Sequence, residues 1–314
     1  MKRCRSKTMM QILQDGSLRI LLCLTCSLAG AADDIGRLGQ ECQKGKRKAC
    51  ELLVATARRS NDSIALIAVI EGLDNQGALE GLAKTAGDSD VRAAAAGKLG
   101  NQQSLVSISR TERDPKVLLA VIPRLIDQAA VYDVSTAMMD RDVLEAVLDR
   151  LTDQPLIAAF ARAKGNQDLR ARAAARLTDA AALAEVARTA GEARARMEAV
   201  ARLTDQTLLA SIAQENGNEN VRRVAVAQIS DQPSLASIAK SSTDQATKMA
   251  AVAKLTDQAL LADISRNAGE WRVRSSAVAK LADQALLAEI ARSDRIENVR
   301  ATAAMRLDDL RKKQ

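Results

Sequence analysis

A period of 26 residues governs most of this chain. Counted from the leucine of the tetrapeptide LTDQ, each copy begins on an aliphatic residue: Leu73, Leu99, Leu125, Leu151, Leu177, Leu203, Ile229, Leu255, Leu281 and Leu307. Such a repeat predicts a stacked array, because each short unit can bury its apolar face only against its neighbours. We therefore expect nine copies over residues 73–306, preceded by an N-terminal cap with a degenerate first copy over 32–72 and followed by a C-terminal end over 307–314.

Each copy has the pattern of two short helices. In residues 203–228, Asp205 is a candidate N-cap, and apolar residues follow it at helical spacing. Gly217 suits the left-handed position after a helix end, and Asn218 can begin the next helix. Pro123 falls late in a helix and should end or kink it. The predicted fold class is all-α, a right-handed α-solenoid of stacked helix pairs with a 26-residue period.

The first helices of the copies resemble HEAT repeats of the short bacterial kind, close to bilin-lyase-type and leucine-rich-variant repeats. The resemblance covers residues 47–307 and is carried by DSDVRAAAAGKL (88–99), NENVRRVAVAQI (218–229), GEWRVRSSAVAKL (269–281) and IENVRATAAMRL (296–307). It implies a scaffold that holds another protein on an extended face, although some such repeats occur in enzymes that act on bilins or nucleic acids.

An arginine follows the recurring valine position in these helices, and the resemblance implies that it bonds to loop carboxylates of its own or the next copy. A ladder of arginines that binds phosphate is the alternative. The structural arginine ladder comprises Arg92, Arg170, Arg196, Arg222, Arg274 and Arg300.

Residues 1–31 lie outside the array and have the pattern of a secretory signal. Four basic residues lie in the first seven, a short apolar run follows Arg19, and Ala29-Gly30-Ala31 fits a cleavage site. The apolar run is shorter than the roughly 20 residues that span a bilayer. We therefore expect an exported, periplasmic or extracellular product that begins near Ala32 and has no stable membrane anchor.

Removal of this segment weakens the case for nucleic acid as a partner. The whole chain has 46 basic and 39 acidic residues, of which residues 1–31 hold five and one, so the net charge falls from +7 to +3. We therefore expect no nucleic-acid partner.

Two cysteines, Cys42 and Cys50, remain after cleavage. An even pair in an exported chain predicts a disulfide, and the spacing resembles the bridge of cysteine-rich secreted helical repeats. The alternative is a cytosolic iron–sulfur protein like the leucine-rich-variant proteins, in which Cys23, Cys26, Cys42 and Cys50 hold a cluster.

No catalytic constellation stands out. The chain has no histidine, which removes the commonest general base and metal ligand. The carboxylates fall in capping positions or in pairs one turn apart on a helix: Glu185 with Arg188, Asp263 with Arg266, and Glu289 with Arg292. We expect neither an enzyme nor a cofactor.

The copies between residues 99 and 176 depart most from the repeat and hold two of the three aromatic residues of the chain. Tyr132 replaces the alanine of the eighth repeat position, so its side chain should project where the others are small. The alternative is that Tyr132 only fills space. The candidate partner-binding residues are Tyr132, Met138, Met139 and Phe160. Together these features favour an exported scaffold that binds a protein or peptide.

Overall fold

The computed structural model of the protein describes residues 32–312. All regular structure over these residues is helical, and it divides into two compact units that meet in sequence at Leu151 and Thr152. The first unit contains α1 (32–43), α2 (Arg47–Ala57), α3 (Ser63–Glu71), α4 (Gln76–Thr85), α5 (Ser89–Lys98), α6 (Gln102–Thr111), α7 (Pro115–Val121), the 3-10 turn η1 (Ile122–Arg124), α8 (Gln128–Ala137) and α9 (Arg141–Arg150). The second contains α10 (Gln154–Arg162), α11 (Gln167–Ala175), α12 (Ala180–Thr189), α13 (Ala193–Arg202), α14 (Gln206–Glu215), α15 (Glu219–Gln228), α16 (Gln232–Ser241), α17 (Gln245–Lys254), α18 (Gln258–Asn267), α19 (Trp271–Val278), α20 (Gln284–Ser293) and α21 (Glu297–Arg311).

Both units are stacks of helix pairs. Within each unit, a helix packs against its hairpin partner and against the helix two places along the chain, so the even-numbered and odd-numbered helices form two layers. From α8 to α20 the even-numbered helices begin 26 residues apart. The predicted all-α solenoid with a 26-residue period is confirmed.

The aspartate of LTDQ caps the even-numbered helices, as the sequence predicts. Oδ1 of Asp205 accepts hydrogen bonds from the backbone N–H groups of Thr207 at 2.9 Å and Leu208 at 3.1 Å. These N–H groups lie in the first turn, so the helix itself has no carbonyl to accept them. The leucine before it is a core residue. The same cap is made by Asp127, Asp153, Asp179, Asp231, Asp257 and Asp283.

The glutamine of LTDQ joins one copy to the next, a role that the sequence did not reveal. We call the LTDQ segment at the start of each copy its corner. Oε1 of Gln232 accepts from the backbone N–H of Thr256 at 2.7 Å and of Asp257 at 3.2 Å, in the corner of the next copy. These N–H groups precede the helix and have no helical partner of their own. Equivalent bonds reach 24 residues along the chain from Gln76, Gln102, Gln154, Gln206 and Gln258.

At most corners, a basic residue just before the leucine makes a second connection, to the copy before it. Nε of Arg306 donates to the carbonyl of Leu281 at 2.9 Å, and Nε of Arg124 donates to that of Leu99 at 2.8 Å. A cation at this point also faces the negative end of the preceding helix. The same connection is made by Lys98, Arg150, Arg202, Lys254 and Lys280.

Three departures from the regular pattern have local causes. Pro123 ends α7 as predicted, and the 3-10 turn η1 follows. Helix α21 runs past residue 306, where the last copy was expected to end, and Lys312 pairs with Asp308 one turn earlier at 2.6 Å. The left-handed conformation predicted for Gly217 is wrong. Among the glycines of that repeat position, Gly165 alone has a positive φ, 82°.

Candidate partner-binding surface

The arginines of the ladder, which we call the loop arginines, bond to the protein's own loops. Nε and Nη2 of Arg274 donate to the two carboxylate oxygens of Asp294, in the next copy, at 3.0 and 3.1 Å. Nη1 donates to the carbonyls of Ala268 and Gly269, in its own copy, at 3.0 and 3.3 Å. One buried guanidinium therefore holds two consecutive loops together, and a planar donor with five N–H groups is suited to this.

The other five arginines of the ladder follow this plan to different degrees. Arg92 bonds to Glu112 at 2.9 Å and Arg222 to Asp244 at 3.3 Å, both in the next copy. Within its own copy, each of the five donates to a backbone carbonyl of the loop or helix end before it: Arg92, Arg170, Arg196, Arg222 and Arg300. The bonds of Arg92, Arg222 and Arg274 to carboxylates of the next copy are the role that the resemblance implied, and the bonds to backbone carbonyls were not predicted.

The carboxylates that receive these arginines are held in the ionised form. Burial favours a raised pKa for Glu112, but hydrogen bonds from the backbone N–H of Asp114 and from Arg92 outweigh it, so the pKa lies below its usual 4.5. Burial is likewise outweighed for Asp294, by Arg274 and the N–H of Ile296, so its pKa lies below 3.8. At neutral pH both contacts are therefore charge-assisted hydrogen bonds.

Charged residues on the even-numbered helices pair between copies. Glu289 pairs with Arg266 at 3.2 Å, and Asp263 pairs with Lys240 at 2.8 Å, each 23 residues earlier in the chain. Glu185 pairs in the same way with Arg162. The predicted pairs within a helix are wrong, because helices of one layer lie side by side and bring these residues closer. Such exposed pairs stabilise a fold by roughly 0–1 kcal/mol each.

Tyr132 lies on α8 at a repeat position that holds alanine in the six copies that follow. Its side chain is half-buried, like most of those alanines, but it is much larger than they are. Its hydroxyl has no hydrogen-bond partner among residues 32–312. Met138 follows the end of α8 and is half-buried, and Met139 beside it is 70% exposed. We call these three residues the Tyr132 surface.

Phe160 is a core residue, and its prediction as a partner-binding residue is wrong. Its side chain is 0% exposed, and Cζ of Arg170 lies 4.1 Å from the centre of its ring. Nη1 of Arg170 also donates to the Phe160 carbonyl at 2.9 Å. The tenth repeat position, which Phe160 occupies, holds buried isoleucines at 212 and 238. The ring fills the core and supports a buried guanidinium, so it is not available to a partner.

Cys42, in α1, and Cys50, in α2, are joined by a disulfide with an S–S distance of 2.02 Å. The predicted signal segment, with Cys23 and Cys26, lies outside the described residues. Within residues 32–312, no three His, Cys, Asp or Glu side chains are grouped so as to hold a metal ion. None of the helices in this range combines the length and apolar character needed to cross a bilayer.

Comparison with models of known protein families and with curated proteins finds no match to this chain.

Proposed function

We propose that this protein is an exported scaffold that binds another protein or a peptide through the Tyr132 surface. The observation that carries the proposal is a half-exposed tyrosine, whose hydroxyl has no partner within residues 32–312, at a repeat position that holds alanine in the six copies that follow. Aromatic side chains with one apolar face and one polar tip are typical anchors of protein interfaces. Met138 and Met139, six and seven residues further along the chain, offer apolar, adaptable side chains.

The rest of the array supports this choice of site. The loop arginines, the corner glutamines and the basic residues at the corners bond to neighbouring copies, and many charges on the even-numbered helices are paired there too. These columns recur because they hold neighbouring copies together at most junctions. A residue that departs from its column and stays accessible has no such structural duty, so Tyr132 is the better candidate for a function specific to this protein.

Tyr132→Ala should leave folding nearly unchanged and weaken partner capture by about 30-fold, the equivalent of a loss of about 2 kcal/mol at an interface anchor. The protein would be immobilised, a partner captured from extracts of the native host by cross-linking, and the affinity of that partner measured for both forms. Met305→Ala, which changes an exposed side chain in the second unit, is the matched control. Equal affinity of the wild type and Tyr132→Ala would show that this surface is not the binding site.

Export predicts a defined mass and a defined thiol count for the protein from its native host. We expect a chain that begins near Ala32 and that exposes two alkylatable thiols only after reduction. Intact-mass measurement with and without reductant checks both statements. A full-length chain with free or iron-bound thiols would place the protein in a reducing compartment and favour the iron–sulfur alternative.

A further inference from the structure

A groove of about 600 Å³ in the second unit contains two arginines that lack their usual acidic partners. Its wall includes Arg188, Arg196, Ser211, Glu215 and Asn216. The groove lies where the copy that begins at Leu203 meets the copy before it. At this junction, Asn216 and Ser211 stand at positions where some other junctions have an acidic residue that pairs with the arginine.

Arg196 belongs to the ladder of loop arginines, and one edge of its guanidinium is unpaired. In Arg274 the Nε–Nη2 edge holds both oxygens of Asp294, 20 residues further on. In Arg92, Nε donates to Glu112, also 20 residues further on. Nε of Arg196 is buried and has no acceptor among the described residues. The hydrogen bond that this side chain does make runs from Nη1 to the carbonyl of Ala190, at 2.5 Å.

The cause is two asparagines: Asn216 stands where two other junctions have Glu112 and Asp294, and Asn218 stands where Arg222 finds Asp244. In all three places one side-chain oxygen accepts the backbone N–H two residues later, at 3.0 Å for Asn216, 3.0 Å for Glu112 and 2.8 Å for Asp294. A carboxylate keeps a second oxygen for the arginine. The other arm of an asparagine is an NH₂ group, which is a donor and cannot accept from Nε.

Arg188 also lacks an acidic partner at this junction. Basic residues at its repeat position, such as Arg266 and Lys240, pair with an acid 23 residues further on. For Arg188 that residue is Ser211, whose hydroxyl bonds to Glu215 at 3.4 Å. Neither Arg188 nor Glu215 forms an ion pair within residues 32–312. The groove therefore holds two arginines against one glutamate.

We propose that this groove binds a carboxylate group supplied by a ligand, which takes the place of the carboxylate that the next copy supplies elsewhere. The assignment to carboxylate follows from the acceptors that the same arginine column has at other junctions, namely Glu112, Asp244 and Asp294. A bidentate arginine–carboxylate contact is both oriented and charge-assisted. The site lies in the second unit and does not depend on the Tyr132 surface.

The test uses the full mature chain and isothermal titration with three probes: a hexaglutamate peptide, free glutarate and inorganic phosphate. Binding of hexaglutamate alone would identify an acidic peptide as the source of the carboxylate, and binding of glutarate as well would extend the site to small carboxylates. Binding of phosphate as tight as that of either carboxylate probe would overturn the assignment to carboxylate. Absence of binding by all three would overturn the site.

Two exchanges between junctions make the test specific. Asn216→Asp supplies an internal carboxylate to Arg196, so it should weaken binding of the carboxylate probe about tenfold or more and raise the thermal midpoint. Asp294→Asn reproduces at Arg274 the arrangement found at Arg196, so it should add a second site. Unchanged affinity of Asn216→Asp would overturn the proposal, whether or not Asp294→Asn folds.

Two further variants test the location of the carboxylate site. Arg188→Gln, at an exposed position, should weaken the same probe without loss of stability. Tyr132→Ala should bind the probe as the wild type does, because its side chain lies in the other unit. Failure of the groove and failure of the Tyr132 surface are therefore distinguishable. Equal loss of probe binding in Tyr132→Ala would contradict the location proposed here.

Discussion

Replacement of Phe160 with alanine is expected to lower the free energy of unfolding of the second unit by about 3–5 kcal/mol. The ring is fully buried, so its removal leaves a cavity in the core. The buried guanidinium of Arg170, 4.1 Å from the ring centre, also loses the face on which it rests. Urea denaturation followed by circular dichroism, with hydrogen exchange of α10 and α11, measures the loss and locates it.

Phe160→Ile is the matched control, because isoleucine is the usual residue at this repeat position. Its cost should be about 1.5 kcal/mol or less, since an apolar side chain of similar shape still fills most of the space. Equal losses for alanine and isoleucine would show that the ring has a role beyond filling the core. A loss below about 1 kcal/mol for alanine would contradict the burial of Phe160.

Arg274→Ala is expected to cost about 3–5 kcal/mol, because it leaves the carboxylate of Asp294 partly buried without its cation. The carbonyls of Ala268 and Gly269 lose their donor at the same time. Arg274→Lys should restore little of the stability, since an ammonium group cannot bond both oxygens of Asp294 and the two carbonyls in one plane. The midpoint of urea denaturation gives the comparison.

Two controls isolate this contact from general effects of charge. Arg272→Ala removes an exposed arginine two residues away and should change stability by no more than about 0.5 kcal/mol. The double variant Arg274→Ala/Asp294→Ala should be more stable than Arg274→Ala alone, because no unpaired carboxylate is left behind. A double variant that is less stable than the single one would show that the two residues do not act as a pair.

The elements of the fold were predictable because their causes are local. An aspartate before an apolar stripe caps a helix wherever it stands, and Pro123 ends a helix for reasons that involve only its own ring and nearby backbone. Strict spacing of the leucines then fixed the stacking of one pair on the next. The disulfide of Cys42 and Cys50 was predictable from the even pair of cysteines that remains if residues 1–31 are a signal segment.

The contacts between copies were harder to predict, because their partners lie in the neighbouring copy. Gln232 alone resembles an exposed residue at the start of a helix, and its bond to Thr256 emerges only when two copies are laid side by side. For the same reason Glu289 was assigned a partner in its own helix and found it in Arg266 of the copy before.

Phe160 shows a different source of error. Its rarity in the chain suggested a function, yet its repeat position holds buried isoleucines in other copies and already indicated the core. The same comparison favours the opposite conclusion for Tyr132, whose position holds alanine in the six copies that follow. The position in the repeat was a better guide to burial than the kind of residue.

The corner bonds also determine how a chain like this can change length. Gln206 accepts from the backbone of Ser230, and Gln232 does the same for Thr256, each 24 residues away. If residues 229–254 were lost as a block, Gln206 would stand at that same distance from Thr256, and the corner could close again. One residue added inside a copy would instead separate the donors and acceptors that span it. Gene duplication or deletion can therefore add or remove whole copies with little damage. The number of copies can change while the hydrogen bonds between neighbouring copies stay the same.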